Sequence, residues 1–146
     1  MIRRAAAEDV PAILSLAALS ETASLWPESE YHALQKYGCL GVCYKGHVLA
    51  GFVAARVTLP KIEGEIESIV VRPALRRQGI GHALCAWALR EMAVVEVHLE
   101  VRASNKGAQA LYTALGFTES GRRRHYYRAP DEDAVIMHLS SMPSMD

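Results

Sequence analysis

Six residues, Arg76-Arg77-Gln78-Gly79-Ile80-Gly81, lie between an apolar run, Ile69-Val70-Val71, and a stretch with helical apolar spacing. A glycine-rich turn that opens a helix leaves backbone N–H groups without partners. Those donors, at the positive end of the helix, suit a phosphate or pyrophosphate. The spacing Arg76-x-x-Gly79-x-Gly81 matches neither Gly-x-Gly-x-x-Gly nor Gly-x-x-x-x-Gly-Lys-Ser/Thr, so it predicts a phosphorylated cofactor outside the common dinucleotides and nucleoside triphosphates. The competing reading is a tight strand-to-helix turn with exposed arginines. Elsewhere, Glu63, Glu65 and Glu67 alternate with apolar Ile66 at strand period, which predicts three carboxylates on one face. No local pattern joins Cys85 or Ser68 to a histidine, which disfavours covalent nucleophilic catalysis. His98 and His125 are not spaced as metal ligands, and no metal is assigned.

These groups must be positioned by the surrounding elements. Ile2-Arg3-Arg4 predicts a short first strand, and Asp9-Val10-Pro11 a helix start, continued by Ile13, Leu14, Leu16, Ala17 and Leu19. A second helix is expected from about Glu28 to Lys36, opened by Trp26-Pro27 and closed by Gly38. Apolar runs at 39–44 and 48–57 flank Lys45-Gly46-His47, a hairpin signal. A strand is predicted over 63–71, a helix over 79–92 and a strand over 94–101, together resembling one βαβ unit. Ser104 or Asn105 can cap a helix through Ala108, Leu111, Tyr112 and Leu115, ending at Gly116. Residues 117–119 and 134–139 make closing strands, and 140–146 are expected to be a tail. The predicted class is α+β, a mixed and mostly antiparallel sheet flanked by helices, as a single domain over 1–139.

Composition is that of an ordinary globular protein. The 146 residues are 51% hydrophobic and 22% charged, with sixteen basic and sixteen acidic side chains. Zero net charge disfavours direct nucleic-acid binding, although Arg122-Arg123-Arg124 forms a local basic run. Cys39, Cys43 and Cys85 are odd in number and lack Cys-x-x-Cys spacing, so neither a disulfide framework nor a zinc site is expected. With no signal-peptide pattern and no apolar run near eighteen residues, no membrane association and a cytoplasmic location are expected.

Ile69-Val70-Val71-Arg72-Pro73, the turn at 76–81, and the downstream Asn105-x-x-Ala108-x-x-Leu111-Tyr112-x-x-x-Gly116-Phe117 together resemble the GNAT acetyltransferase family. Within it, Leu99-Glu100-Val101-Arg102-Ala103-Ser104-Asn105, Arg123-Arg124-His125-Tyr126-Tyr127 and 132–137 resemble the RimI-like branch, which acetylates the N-terminal alanine of a small-subunit ribosomal protein. The likeness is continuous from about Ile66 to Leu139 and weak before Gly51. It implies the GNAT fold, acetyl-coenzyme A as donor and a protein or peptide N-terminus, that of a ribosomal protein, as acceptor; the alternatives are a small-molecule amine or a lysine side chain as acceptor, or a non-catalytic acyl-coenzyme A sensor.

On that resemblance, Gln78, Gly79, Ile80 and Gly81 offer amides to the coenzyme pyrophosphate, and the two glycines keep side chains out of its path. Arg76 and Arg77 add positive charge, Ile69 to Val71 pair with the pantetheine amides, and Asn105 lies near the pantetheine arm. Amide formation needs a neutral amine, an acceptor for its proton and a donor for the departing thiolate. The resemblance makes Glu100 the candidate base and Tyr112 the candidate acid, with a backbone N–H of Val70 or Val71 meeting the oxyanion. Glu65 and Glu67 are rival bases or acceptor contacts, because some GNAT enzymes carry the working glutamate on the strand before the turn. Tyr112 could instead be an amphipathic-helix tyrosine, and Glu100 a solvated strand residue paired with Arg102 or a neighbour. Tyr126, Tyr127 and Trp26 are read either as the lining of a peptide groove or as core.

Overall fold

The computed structural model describes residues 1–20, 26–60 and 62–140. Seven strands form one sheet in the order β1-β2-β3-β4-β5-β7-β6: Ile2–Arg4, Cys39–Lys45, Val48–Thr58, Glu63–Val71, Glu96–Arg102, Thr118–Tyr127 and Glu132–Ser140 for β1 to β7. Neighbours are antiparallel except β4 and β5. Helices α1 (Val10–Leu19) and α2 (Glu28–Tyr37) cover one face of the N-terminal half; α3 (Ile80–Met92) and α4 (Lys106–Ala114) lie on the other.

Most predicted elements appear within two residues of their expected ends. The β2–β3 hairpin turns at Gly46, whose φ of +62° suits glycine. Its strands are near-continuous apolar runs because both faces are covered. Leu40, Val42 and Phe52 meet α1 and α2, while Cys39, Val53 and Ala55 belong with α3 and α4. Gly41 admits the Trp87 ring of α3, since a Cβ there would stand 2.5 Å from it. The start of α1 is fixed by buried Asp9, which accepts from Ala6 N at 2.7 Å, Arg3 at 2.7 and 3.0 Å, and the Tyr44 hydroxyl at 2.9 Å. The Arg3 pairing leads in holding its pKa down, to about 2.

Two expectations need correction. The closing strands are far longer than 117–119 and 134–139. β6 spans Thr118–Tyr127 and β7 spans Glu132–Ser140, so Ser140 belongs to the sheet and the expected tail from 141 lies outside the described residues. β6 is an exposed edge strand with no buried face, and apolar alternation could not reveal it. Trp26 packs on Tyr31 at 5.3 Å, and Tyr31 edge-on against Phe52 at 5.9 Å. Of the two readings of Trp26, this packing fits core on the α2 side. Finally, β4 does not keep strict period. Ala54 faces Ser68 while Ala55 faces Ile66, which leaves Glu67 as the extra residue of a β-bulge. The bulge exchanges faces: Ile66 packs on the α3 side, but beyond it Ile69 and Val71 do so, and Val70 turns toward α1 and α2.

The pairing of β4 with β5 covers only Gly64–Ile66 against Val97–Leu99. Beyond those three residues, and just past the Glu67 bulge, the two strands separate and open a cleft in the middle of the sheet.

Candidate active site

The wall of the larger groove begins with Ile69, Val70 and Val71 of β4, after the strands part. Opposite lie Gly107, Ala108, Leu111 and Tyr112 of α4, with Asn105 at its N-terminus. The floor is the turn into α3: Arg76, Arg77 and Gly79, then Ile80, Gly81 and His82. The groove's volume is about 650 Å³.

The turn is shaped for backbone donors. Arg77 and Gly79 both adopt left-handed conformations, with φ +66° and +79°, so the chain folds back before the helix begins. Within α3 the first amide to find a carbonyl is Ala83, bonded to Gly79 O at 3.0 Å. The amides of Ile80, Gly81 and His82 precede it, in the first turn where no helical carbonyl is available. An anion held there would meet those donors and the positive end of a thirteen-residue helix. A Cβ on Gly79 would meet nothing within 4 Å, so a bulky residue there would project into open groove. Gly81 has a different duty: a Cβ there would stand 2.7 Å from Leu111 Cδ1, so this glycine lets α4 approach α3. This contact comes in addition to the expected role of Gly81 in clearing a path for pyrophosphate.

Of the ten residues expected to hold a cofactor, all but Gln78 line this groove. Asn105 has a further task, since its Oδ1 accepts from Ala108 N at 3.1 Å and caps α4. Its carboxamide NH₂ is then the group left for a ligand. His82, Ser20 and Leu111 also line the groove and were not foreseen. A histidine in a helix's first turn carries no periodic signal, and Ser20 arrives from α1, distant in sequence.

A smaller cleft of about 80 Å³ continues from the first, sharing Ile69, Asn105, Ala108 and Tyr112 with it. Its other walls are Glu67 and Ser68 of β4, Glu100, Val101 and Arg102 of β5, and Tyr127 of β6. Tyr112 stands where the two spaces join. It is 7% exposed, and burial holds its phenol firmly protonated, with Cys85 and Tyr127 adding to the effect.

The two leading carboxylates are held differently. Glu100 receives Arg123 Nε at 3.1 Å and the hydroxyl of Tyr126, so its partner is Arg123 and not Arg102. Glu67 sits in the bulge, 13% exposed at its side chain and ion-paired with Arg56. Burial pushes its pKa up against the opposing pull of Arg56, and Glu65 adds repulsion. Glu65 lies on β4 beside His98 of β5 and lines neither space.

The aromatic pair owes its place to a break in β6. Between Arg123 and Tyr127 the register slips, His125 takes φ +52°, and its N–H donates to Asp133 Oδ1 at 3.0 Å. Tyr127 is thereby turned over the smaller cleft under Arg102, whose guanidinium lies 4.4 Å from the ring centre. Burial pushes the Tyr127 phenol up to about 12. Tyr126 meets it edge-on at 5.1 Å but stays 48% exposed and outside the cleft lining.

Cys85 is fully buried, its thiol pushed up to about 12 by burial, so it is no thiolate nucleophile at neutral pH. Among the described residues no three His, Cys, Asp or Glu side chains gather as a metal site, and no helix is long and apolar enough to cross a membrane.

Residues 10–117 match the Acetyltransferase (GNAT) family. The chain is 44% identical over 96 residues to the ribosomal protein bS18-alanine N-acetyltransferase of Escherichia coli, an alignment covering 62% of this chain and 64% of that protein. A relative in Bacillus subtilis is 32% identical over 144 residues, 95% of this chain and 94% of its own. The crystal structure of the ribosomal-protein-S18-alanine N-acetyltransferase from Escherichia coli superposes with a TM-score of 0.84 at 34% identity, over 100% of this chain and 97% of that one.

Proposed function

This chain belongs to the acetyltransferase (GNAT) family, and on that premise we propose that it moves the acetyl group of acetyl-coenzyme A onto the α-amine of a protein N-terminus, the alanine end of a ribosomal protein being its acceptor. The observation that carries the reading is continuity. A groove floored by the first-turn amides of α3 runs past Tyr112 into a cleft lined by Glu100. Donor and acceptor can thus arrive from opposite sides of the parted strands β4 and β5.

The residues divide the work. First-turn amides of α3, with Arg76 and Arg77, take the pyrophosphate. The free edge of Ile69 to Val71 bonds the pantetheine amides as an added strand. Glu100 accepts, through water, the proton that the α-amine sheds as its nitrogen bonds the acetyl carbon. That amine has an ordinary pKa of about 7.7–8.0, so a fraction is already neutral near pH 7. An amide of Val70 or Val71 faces the carbonyl oxygen as charge gathers on it. Tyr112, kept protonated by burial, gives its proton to the sulfur as the carbon–sulfur bond breaks. Direct attack needs no acetylated enzyme. Tyr127, with Tyr126 beside it, borders the acceptor's path.

One observation favours a second reading of the base: Glu67 lines the same cleft and its pKa is raised by burial. Carboxylate-to-amide variants discriminate between the two.

The test of function is a panel of N-terminal hexapeptides differing in their first two residues, run beside polyamines and aminoglycosides with acetyl-coenzyme A. Acetylation at the α-nitrogen of Ala-initiated peptides, located by mass spectrometry, is the expected result. Turnover of small amines alone overturns it.

A further inference from the structure

One arrangement on the uncovered face of the C-terminal half of the sheet has no part in the acetyl-transfer chemistry. His98 of β5 and His138 of β7 are register partners whose rings stack, with centroids 4.8 Å apart and planes 27° from parallel. Each ring has its own carboxylate. His98 Nε2 lies 3.1 Å from Glu63 Oε2, His138 Nε2 pairs with Glu96, and Ser140 Oγ donates to the other Glu96 oxygen at 2.9 Å.

The pair lies on the side of the sheet that carries Glu100. Along β5, Glu96, His98 and Glu100 alternate onto one face while Val97, Leu99 and Val101 enter the core. Every neighbouring strand adds to the surroundings. β4 contributes Glu63 and Glu65, the latter the register partner of His98. β3 contributes Thr58 and Arg56, whose guanidinium is engaged with Glu67. β6 places uncharged Thr118 opposite His138, and its Arg123 is engaged with Glu100. With both rings neutral, Glu63, Glu65 and Glu96 have no lysine or arginine partner among the described residues. The face is then acidic: along β5, His98 stands two residues from Glu100 and Glu96 four, with Glu65 opposite His98. Protonating both rings adds two positive charges to it.

We propose that the stacked His98–His138 pair is a proton-sensitive element of the acceptor surface: neutral, it leaves an acidic face that attracts a cationic amine, and protonated, it weakens acceptor binding. This rests on the acceptor reading given above. Histidine titrates between pH 5 and 8 in ordinary surroundings. An acceptor α-ammonium settling several ångströms away, near the protein surface, would feel each added charge as about a two- to threefold change in affinity.

The experiment compares acceptor KM and kcat for wild type and the double variant His98→Gln/His138→Gln between pH 5.5 and 6.8. In that window an α-amine of pKa about 7.7–8.0 remains cationic by roughly 90% or more, so its own titration barely alters the binding species. Wild-type acceptor KM should fall about two- to fivefold as pH rises, with acetyl-coenzyme A KM unmoved. The variant should show a flat acceptor KM near the wild-type high-pH value. Glu63→Gln/Glu96→Gln should raise acceptor KM throughout. A flat wild-type KM, or a variant that keeps the wild-type slope, overturns the proposal alone. A wild type that acetylates no peptide at any pH overturns the acceptor reading and the proposal with it.

Discussion

The larger groove and the smaller cleft meet at Tyr112 but are made of different material. The groove is mostly backbone and small or apolar side chains: a freed strand edge, two left-handed turn residues and helix amides. The cleft is ionisable side chains whose positions depend on other ionisable side chains, as Glu100 depends on Arg123 and Tyr126, and Glu67 on Arg56. A site built of backbone tolerates many side-chain changes and fails when the backbone cannot take its shape. A site built of paired charges keeps its shape through substitution and loses its chemistry.

The largest expected effect therefore lies in the cleft. Glu100→Gln is isosteric and should leave acetyl-coenzyme A affinity nearly unchanged while lowering kcat on a good peptide about 10²–10⁴-fold. The loss should shrink toward higher pH, where more amine is already neutral. Glu67→Gln removes a buried carboxylate paired with Arg56 and should cost less than about tenfold. If steady-state kinetics reverse that order, the base is on the bulge of β4 and the roles of the two carboxylates must be exchanged.

The groove was far more legible in the sequence than the cleft, and the contrast in material explains why. Arg76 to Gly81 lie within six consecutive residues, so their spacing between a strand and a helix could be read locally. The helix cap at Asn105 was likewise local. The cleft is assembled from β4, β5 and β6 by long-range pairing. Its key irregularities, the bulge at Glu67 and the slip between Arg123 and Tyr127, appear only when a neighbouring strand counts residues differently. Strand period placed the glutamates of β4 on one face but could not show that Glu67 is the residue that steps out. β6 was nearly invisible because Thr-Glu-Ser-Gly-Arg-Arg-Arg-His carries no apolar alternation, and its strand conformation comes from β7. Gly81 was recognised for its type, but its reason, contact with Leu111, required α4 to be in place.

The next effect breaks the groove through its backbone. Gly81→Val puts a branched side chain against Leu111, and overpacking of this kind costs about 1–3 kcal/mol. Thermal unfolding should show the destabilisation, and calorimetry with coenzyme A a weakened Kd. Gly79→Ala has free space for its methyl but an unfavourable φ of +79°, worth about 1 kcal/mol. Gly79→Asn should recover part of that because asparagine accepts the left-handed region. Should Gly79→Leu, once folded, bind coenzyme A as tightly as wild type, the turn is not the phosphate cradle.

The smallest effect sharpens the comparison inside the cleft. Arg56 pairs with Glu67 from β3 and opposes the burial that raises the Glu67 pKa. Arg56→Gln takes away a cation beside a carboxylate, so the charged form loses support and the pKa of Glu67 should rise further. If Glu100 is the base, Glu67 serves mainly to shape the bulge. The variant should then keep kcat within about threefold and hold the acidic limb of its pH–rate profile where wild type has it. If Glu67 is the base, its deprotonation becomes harder and the acidic limb should move to higher pH, with the loss greatest below neutrality and recovered above it. The profile of this one variant, measured at saturating acetyl-coenzyme A, distinguishes a carboxylate that takes the proton from one that only holds the strand open.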